Sequence, residues 1–389
     1  MPNHQIRKTS IIKKTCYLLL LGLSVYGCDK KNIKSPETSD IINLKIVKTV
    51  KNNKDLNYVV MSNIYPEDPY TMFLTLRGGG ISTYNVSDPA TPELLTHWDE
   101  NPARHVEGQD RIGDLLVVTD ISRGGLFLFD VSNPANLIKL SYLNLEGIDN
   151  VLHVKTRKLG NRMYAFLSGG FHFTTDEPSE LFVAVDITDP KTPFFVSKIK
   201  TGVLGPEGIS IKDNYAYLGG FLSTKFLVID ISAPTNMKIV KTLDEAHYGQ
   251  MVSEIGNDGI LYAALWGAVD SDKGGLAAFD ISDPGNIDEI NYIFSKDMAK
   301  ANRVKFHQNY VFMPLEFEKG GGVAIVDKSN PKKLRHVKTI LDIPGVSKPY
   351  CLALKQDYLY IFGSKANTMV VMQIIKNTPQ VLSEVTENK

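Results

Sequence analysis

A chain of 389 residues is long enough for two average domains or for one large domain built of repeats. Hydrophobic residues make up 43% and charged residues 22%, which suits a soluble fold with a sizeable core. The 43 basic and 43 acidic residues balance, but Arg7, Lys8, Lys13 and Lys14 stand in the first 27 residues without an acid among them. The remainder carries 39 basic against 43 acidic residues, a mildly acidic balance that excludes the basic footprint of a nucleic-acid-binding protein.

The N-terminus has the order of an export signal: a basic stretch from Arg7 to Lys14, then an apolar run from Cys16 to Tyr26. That run is shorter than the roughly 20 apolar residues a membrane-spanning helix needs. The segment Val25-Tyr26-Gly27-Cys28 resembles a bacterial lipoprotein processing box, with a bulkier residue than usual at Tyr26. The resemblance implies a signal peptide at 1–27 and a lipid-modified Cys28 that anchors the protein to a membrane of the bacterial envelope, the outer membrane or the cell surface. Residues 28–42 are polar and without periodicity, and read as a tether spanning roughly 20 Å as a coil. With Cys16 and Cys28 so assigned, Cys351 stands alone, and neither an intrachain disulfide nor a cysteine-based metal cluster is expected.

From residue 43 onward one pattern recurs: an apolar strand, Asp or Asn, any residue, Ser or Thr, any residue, Pro. It appears at Asn85-Val-Ser87-Asp-Pro89, Asp130 to Pro134, Asp186 to Pro190, Asp230 to Pro234, Asp280 to Pro284 and Asp327 to Pro331. A degenerate seventh copy has Gln373 in place of the acid. Asp or Asn at the end of a strand accepts backbone N–H bonds and starts a turn, and Pro, lacking a donor, stops the strand. These acids are therefore expected to be turn-formers. Four short strands surround each turn, as in Gly208–Lys212, Tyr215–Leu218, Phe226–Ile229 and Met237–Leu243. Four strands in a unit of about 40 to 50 residues is the arithmetic of a propeller blade. The expected fold is all-β, a seven-bladed β-propeller of four-stranded antiparallel blades over 43–389. Leu44–Val50, close in sequence to Met237–Leu243, is favoured over Gln380–Val385 as the strand that closes the ring.

The stretch Leu227-Val-Ile-Asp230-Ile-Ser-Ala-Pro234 resembles the LVIVD-repeat family of bacterial and archaeal surface proteins. The resemblance runs from about residue 43 to 375 and implies a surface propeller without supplying an activity.

In a four-stranded meander the loops entering each blade share a face with the loops between its second and third strands. Counting back from each second strand places Glu107, Glu207, Asn302 and Tyr350 at equivalent entries, with Asp149 or Asn150, and Gln250, once insertions are allowed for. His105 and Arg303 lie beside them. The second-to-third loops add Arg77, Asp120, Arg123, Trp266, Glu316 and Lys319. The two longest loops hold His172, between Phe171 and Phe173, and Trp266, ring systems suited to stacking on a sugar. Zinc-ligand spacings, a complete calcium loop, a Walker loop and G-x-S-x-G are all missing, so no metal or cofactor is expected. The expectation is a monomeric, non-catalytic binding or scaffold module for an envelope protein, glycan or small ligand. The alternative is a carbohydrate-active hydrolase or lyase using Glu107, Glu207, His105 and Arg303 at the channel mouth.

Overall fold

The computed structural model describes residues 41–52, 54–100, 105–170, 180–221, 223–249, 251–267 and 272–377. Among them are 28 strands in seven four-stranded antiparallel sheets, the blades of a β-propeller. Blades 1 to 6 occupy residues 59–98, 106–144, 153–200, 206–244, 251–295 and 305–340. Blade 7 takes three strands from 352–377 and its outermost strand from Ile41–Lys51. That N-terminal strand pairs with Thr368–Asn377 from Ile41↔Asn377 to Lys51↔Thr368, closing the ring as expected. Its rival, Gln380–Val385, lies outside the described residues, as do Cys28, the signal and most of the tether. No helix among the described residues is long and apolar enough to cross a membrane.

The recurring turn explains where strands stop. Six third strands end on the repeat's acid or amide, at Asn85, Asp130, Asp186, Asp230, Asp280 and Asp327. In each, the side-chain oxygen accepts the backbone N–H two residues on, at 2.8–2.9 Å, from Ser87, Ser132, Thr188, Ser232, Ser282 and Ser329. Blade 7 lacks the acid and the proline, and its third strand runs on for ten residues, long enough to pair with the N-terminal strand. The proline has a second role. Its carbonyl accepts a hydroxyl from the preceding blade: Thr83 to Pro134 (2.7 Å), Ser141 to Pro190 (2.6 Å), Ser197 to Pro234 (2.5 Å) and Tyr360 to Pro89 (2.8 Å).

The core is divided into seven apolar clusters, and each joins two adjacent blades. Both faces of the middle strands are therefore covered. Leu115–Asp120 and Leu181–Asp186 are buried at every position rather than alternately. Outer strands such as Phe194–Lys200 stay partly exposed. Nearer the axis, hydroxyls at the ends of second strands bind backbone carbonyls of the next inner strand: Thr75 to Glu107 (2.5 Å), Thr119 to Leu152 (3.2 Å), Ser168 to Glu207 (3.2 Å) and Ser364 to Val59 (2.6 Å). These bonds fix the chain where it enters the channel.

Candidate functional site

Two inner strands begin with a Glu-Gly bulge. In blade 2, Val106 faces Asp120 and Gln109 faces Val118, so Glu107 and Gly108 share one opposing residue. In blade 4, Pro206 faces Gly220 and Ile209 faces Leu218, which leaves Glu207 and Gly208 in the same position. A bulge bends its strand and re-aims a side chain. Gly108 is required there, because a Cβ would lie 2.6 Å from the Leu152 carbonyl oxygen.

Glu107, only 1% exposed, holds Arg77 through two bonds, Nε to Oε2 at 2.6 Å and Nη2 to Oε1 at 3.0 Å. Arg303 is the second cation on this carboxylate, with Nη2 3.8 Å from Oε1. Arg303 crosses from blade 6 to His153 of blade 3, where Nη2 meets Nε2 at 3.2 Å. Burial, reinforced by Arg303, holds the His153 imidazole well below its usual pKa, so the ring is neutral and Nε2 accepts. Arg303 Nη1 also donates to the Tyr350 carbonyl (2.9 Å) and to Asn302 Oδ1 (3.3 Å). This layer closes the channel with polar, paired side chains. Beneath it lies a small cavity of about 50 Å³ lined by Gln109, His153, Arg303 and Lys305 among others.

Above the layer is the larger cavity, about 380 Å³. Its polar lining comes from Arg77, His105, Asn150, Glu207, Asn302, Glu316, Lys348 and Tyr350, and its apolar lining from Ile121, Leu152 and Phe221. Glu207 Oε1 lies 3.9 Å from His153 Nε2. Burial raises the Glu207 carboxyl to about 7; Glu107 and Glu316 push the same way, while Arg303 and Arg77 oppose them. Glu316 is raised as well by burial, against Arg303 and three closer neighbours that favour its charge. The three are Asn302 Nδ2 (3.0 Å), Trp266 Nε1 (3.2 Å) and Lys348 Nζ (3.9 Å). Arg77 and Lys348 both lie over the Tyr350 ring, 5.1 and 5.6 Å from its centre, and the Tyr350 and Tyr58 hydroxyls are 3.1 Å apart.

The structure thus brings His105, Glu207, Asn302 and Tyr350 to one cavity, with Arg77 and Glu316 from the second-to-third loops. Of the paired alternatives, Asn150 lines the cavity while Asp149 is exposed. Glu107 and Arg303 are set deeper, as pairing groups. Trp266 holds Glu316 from the side. Asp120, at the end of the second strand of blade 2, does not line the cavity. It is fully buried, accepts from the Ser122 N–H (2.9 Å) and the Tyr142 hydroxyl (3.2 Å), and shapes its own turn. Arg123 and Lys319 are exposed and outside the cavity lining. Gln250 and His172 lie outside the described residues.

Sequence counting misses His153 and Lys348. The inner strand of blade 3 has no bulge against its neighbour, the register running evenly from His153↔Ser168 to Leu159↔Arg162, so an offset taken from bulged inner strands misses its inward residue. The hydroxyl position was the available marker, since Ser168 matches Thr119 at the end of the second strand. Lys348 sits in an entry loop with φ of 49°, outside any strand register.

Comparison with known proteins agrees with this architecture. A model of the LVIVD repeat matches residues 207–245, which is blade 4 from its bulge to the end of its outer strand. No curated protein sequence matches the chain. Among solved structures it is similar to virginiamycin B lyase from Staphylococcus aureus, at 11% identity and a TM-score of 0.59, over 86% of this chain and 100% of that one. It is also similar to a putative 6-phosphogluconolactonase from Bacteroides fragilis (14% identity, TM-score 0.55, 82% and 98% of the two chains). A third is the periplasmic gluconolactonase of Pseudomonas aeruginosa (15%, 0.57, 72% and 84%). At these identities the likeness is one of fold. The chain is a seven-bladed β-propeller that carries the LVIVD repeat.

Proposed function

We propose that this protein is a lipid-anchored envelope protein whose propeller binds a small polar ligand at the mouth of its channel. The observation that carries the binding reading is convergence: entry and second-to-third loops from different blades send polar groups into one cavity of about 380 Å³ that also has apolar walls. A concave site with apolar lining and a few fixed polar groups is the usual form of a small-ligand site. The anchor rests on the order basic stretch, apolar run, Cys28 and polar tether, ahead of the closing strand at Ile41. Mass spectrometry of the native protein is expected to show an acylated Cys28 N-terminus, and an unmodified one removes the anchor.

Binding is tested by a thermal-shift screen of monosaccharides and small polar metabolites against the full-length chain. The expected result is stabilisation by at least one compound, with affinity reduced at least tenfold in Tyr350→Ala or Asn302→Ala. A library without effect, or hits unaffected by both substitutions, rejects the mouth as the site.

One observation favours a second reading, acid–base catalysis by a hydrolase or lyase: the Glu207 carboxyl titrates at about 7, the range suited to a general acid or base. Glu107 is held by Arg77, which leaves Glu207 and His105 for that role. Turnover of a bound compound, lost in Glu207→Gln while binding persists, distinguishes catalysis from binding alone.

A further inference from the structure

The cavity treats positive and negative charge differently. Among the described residues two cations, Arg77 and Lys348, line it directly, whereas the carboxylates that hold them most closely do not. Glu107 is buried behind Arg77, and Glu318 holds Lys348 at 2.8 Å from the rim, where it is shared with Lys365. The two acids that do line the cavity, Glu207 and Glu316, are both driven by burial toward their neutral forms. Glu316 is further occupied by donors from Asn302 and Trp266. The wall facing a ligand is therefore richer in available positive charge than the residue count suggests. Ile121, Leu152, Phe221 and the Tyr350 ring leave room for a carbon skeleton, which a bare inorganic ion lacks.

We infer that the mouth takes a small organic monoanion, its carboxylate set against Arg77 and Lys348 beside the Tyr350 ring, and that binding it takes up a proton on Glu207. This inference rests on the mouth being the ligand site, and adds the class of ligand and its pH linkage. Among the described residues, the charged and titratable groups that act on Glu207 are Arg303 from blade 6, Glu107 from blade 2, Arg77 from blade 1, His153 from blade 3 and Glu316 from the blade 6 loop. An incoming anion adds negative charge beside a carboxyl already held near neutrality and offsets the pull of Arg77. Glu207 then holds its proton to higher pH, so affinity falls as pH rises through about 7.

The test uses matched pairs, glucuronate against glucose and benzoate against benzyl alcohol, titrated calorimetrically into the full-length chain at pH 6.0 and 8.5. The acid of at least one pair is expected to bind at least tenfold tighter than its neutral partner, and to weaken about tenfold at the higher pH. Lys348→Met removes the preference for the acid; Lys348 is partly exposed, so folding is retained, as a thermal melt checks. Glu207→Gln keeps acid binding and flattens its pH dependence. Neutral compounds that bind as well as the acids, a preference that survives Lys348→Met, or an unchanged pH dependence in Glu207→Gln overturns the inference while leaving the mouth site intact. A mouth that binds neither acids nor neutral compounds overturns both.

Discussion

The repeat turns and the channel mouth both depend on carboxyl groups, and they treat them in opposite ways. At the turns, Asp130 is partly exposed and Asp280 exposed, and hydrogen bonds from the hydroxyl and backbone N–H of Ser132 and of Ser282 hold their carboxyls below the ordinary value. At the mouth, Glu207 is enclosed between blades and burial raises it to about 7. The same chemistry therefore serves stability at the rim and is available for binding at the axis. Recurrence in sequence marks the first kind. The second kind is marked by position in the ring, with different residue types at equivalent places.

That contrast can be broken most forcefully at the mouth. Arg303→Met removes the brace between blades 6 and 3 and leaves the Tyr350 carbonyl, Asn302 Oδ1 and His153 Nε2 without their donor. Deleting one partner of a buried charged network costs about 3–5 kcal/mol, measurable as a lower denaturant midpoint with an unchanged slope. The equivalent loss at an exposed turn should be several times smaller.

The next effect concerns pH. Glu207 has a folded pKa above its unfolded value, so the native state binds the extra proton between about pH 4.5 and 7. Its contribution is neutral below that window and destabilising above it, by about 3 kcal/mol at full ionisation. Glu207→Gln should therefore gain stability relative to the parent as pH rises from 5 to 8 in parallel urea titrations. A constant difference across that range would remove the proposed burial effect. The turn acids have depressed values and the opposite sign: Asp130, Asp186, Asp280 and Asp327 stabilise the fold above their unfolded range, and that contribution is lost as pH falls through their folded values.

The smallest expected effect is at one turn. Asp280→Ala removes the bond to the Ser282 N–H and should cost about 1 kcal/mol, whereas Asp280→Asn should be close to neutral. Asn85 already performs this task in blade 1, bonding the Ser87 N–H at 2.9 Å. An Asn substitution as costly as Ala would show that charge, not turn geometry, is what the repeat requires.

Much of the fold is legible because its determinants are local. The residue that ends a third strand and the N–H it binds are two positions apart, so Asp230 and Ser232 state their turn without reference to the rest of the chain. The copy number then gives the blades, and the spare strand before the first blade gives the closure that Ile41–Lys51 performs. Much of the mouth is legible too, since Glu207, Asn302 and Tyr350 stand at countable offsets from second strands, with His105 beside them and Arg77 and Glu316 in the second-to-third loops. His153 escaped because an unbulged register shifts the count in blade 3, and Asp120 misled because a loop position on the right face is also where a turn-former belongs.

By itself, the sequence determined the repeat and its turns and favoured the strand that closes the ring, because each follows from hydrogen bonds and steric limits within a few residues or from a period that is counted directly. Only the tertiary structure decided which polar groups meet. Arg303 and His153 are 150 residues apart, and Arg77 and Glu107 are 30 apart in different blades. Their pairing exists only when the closed ring sets inner strands around one axis, and the burial that raises Glu207 exists only there as well.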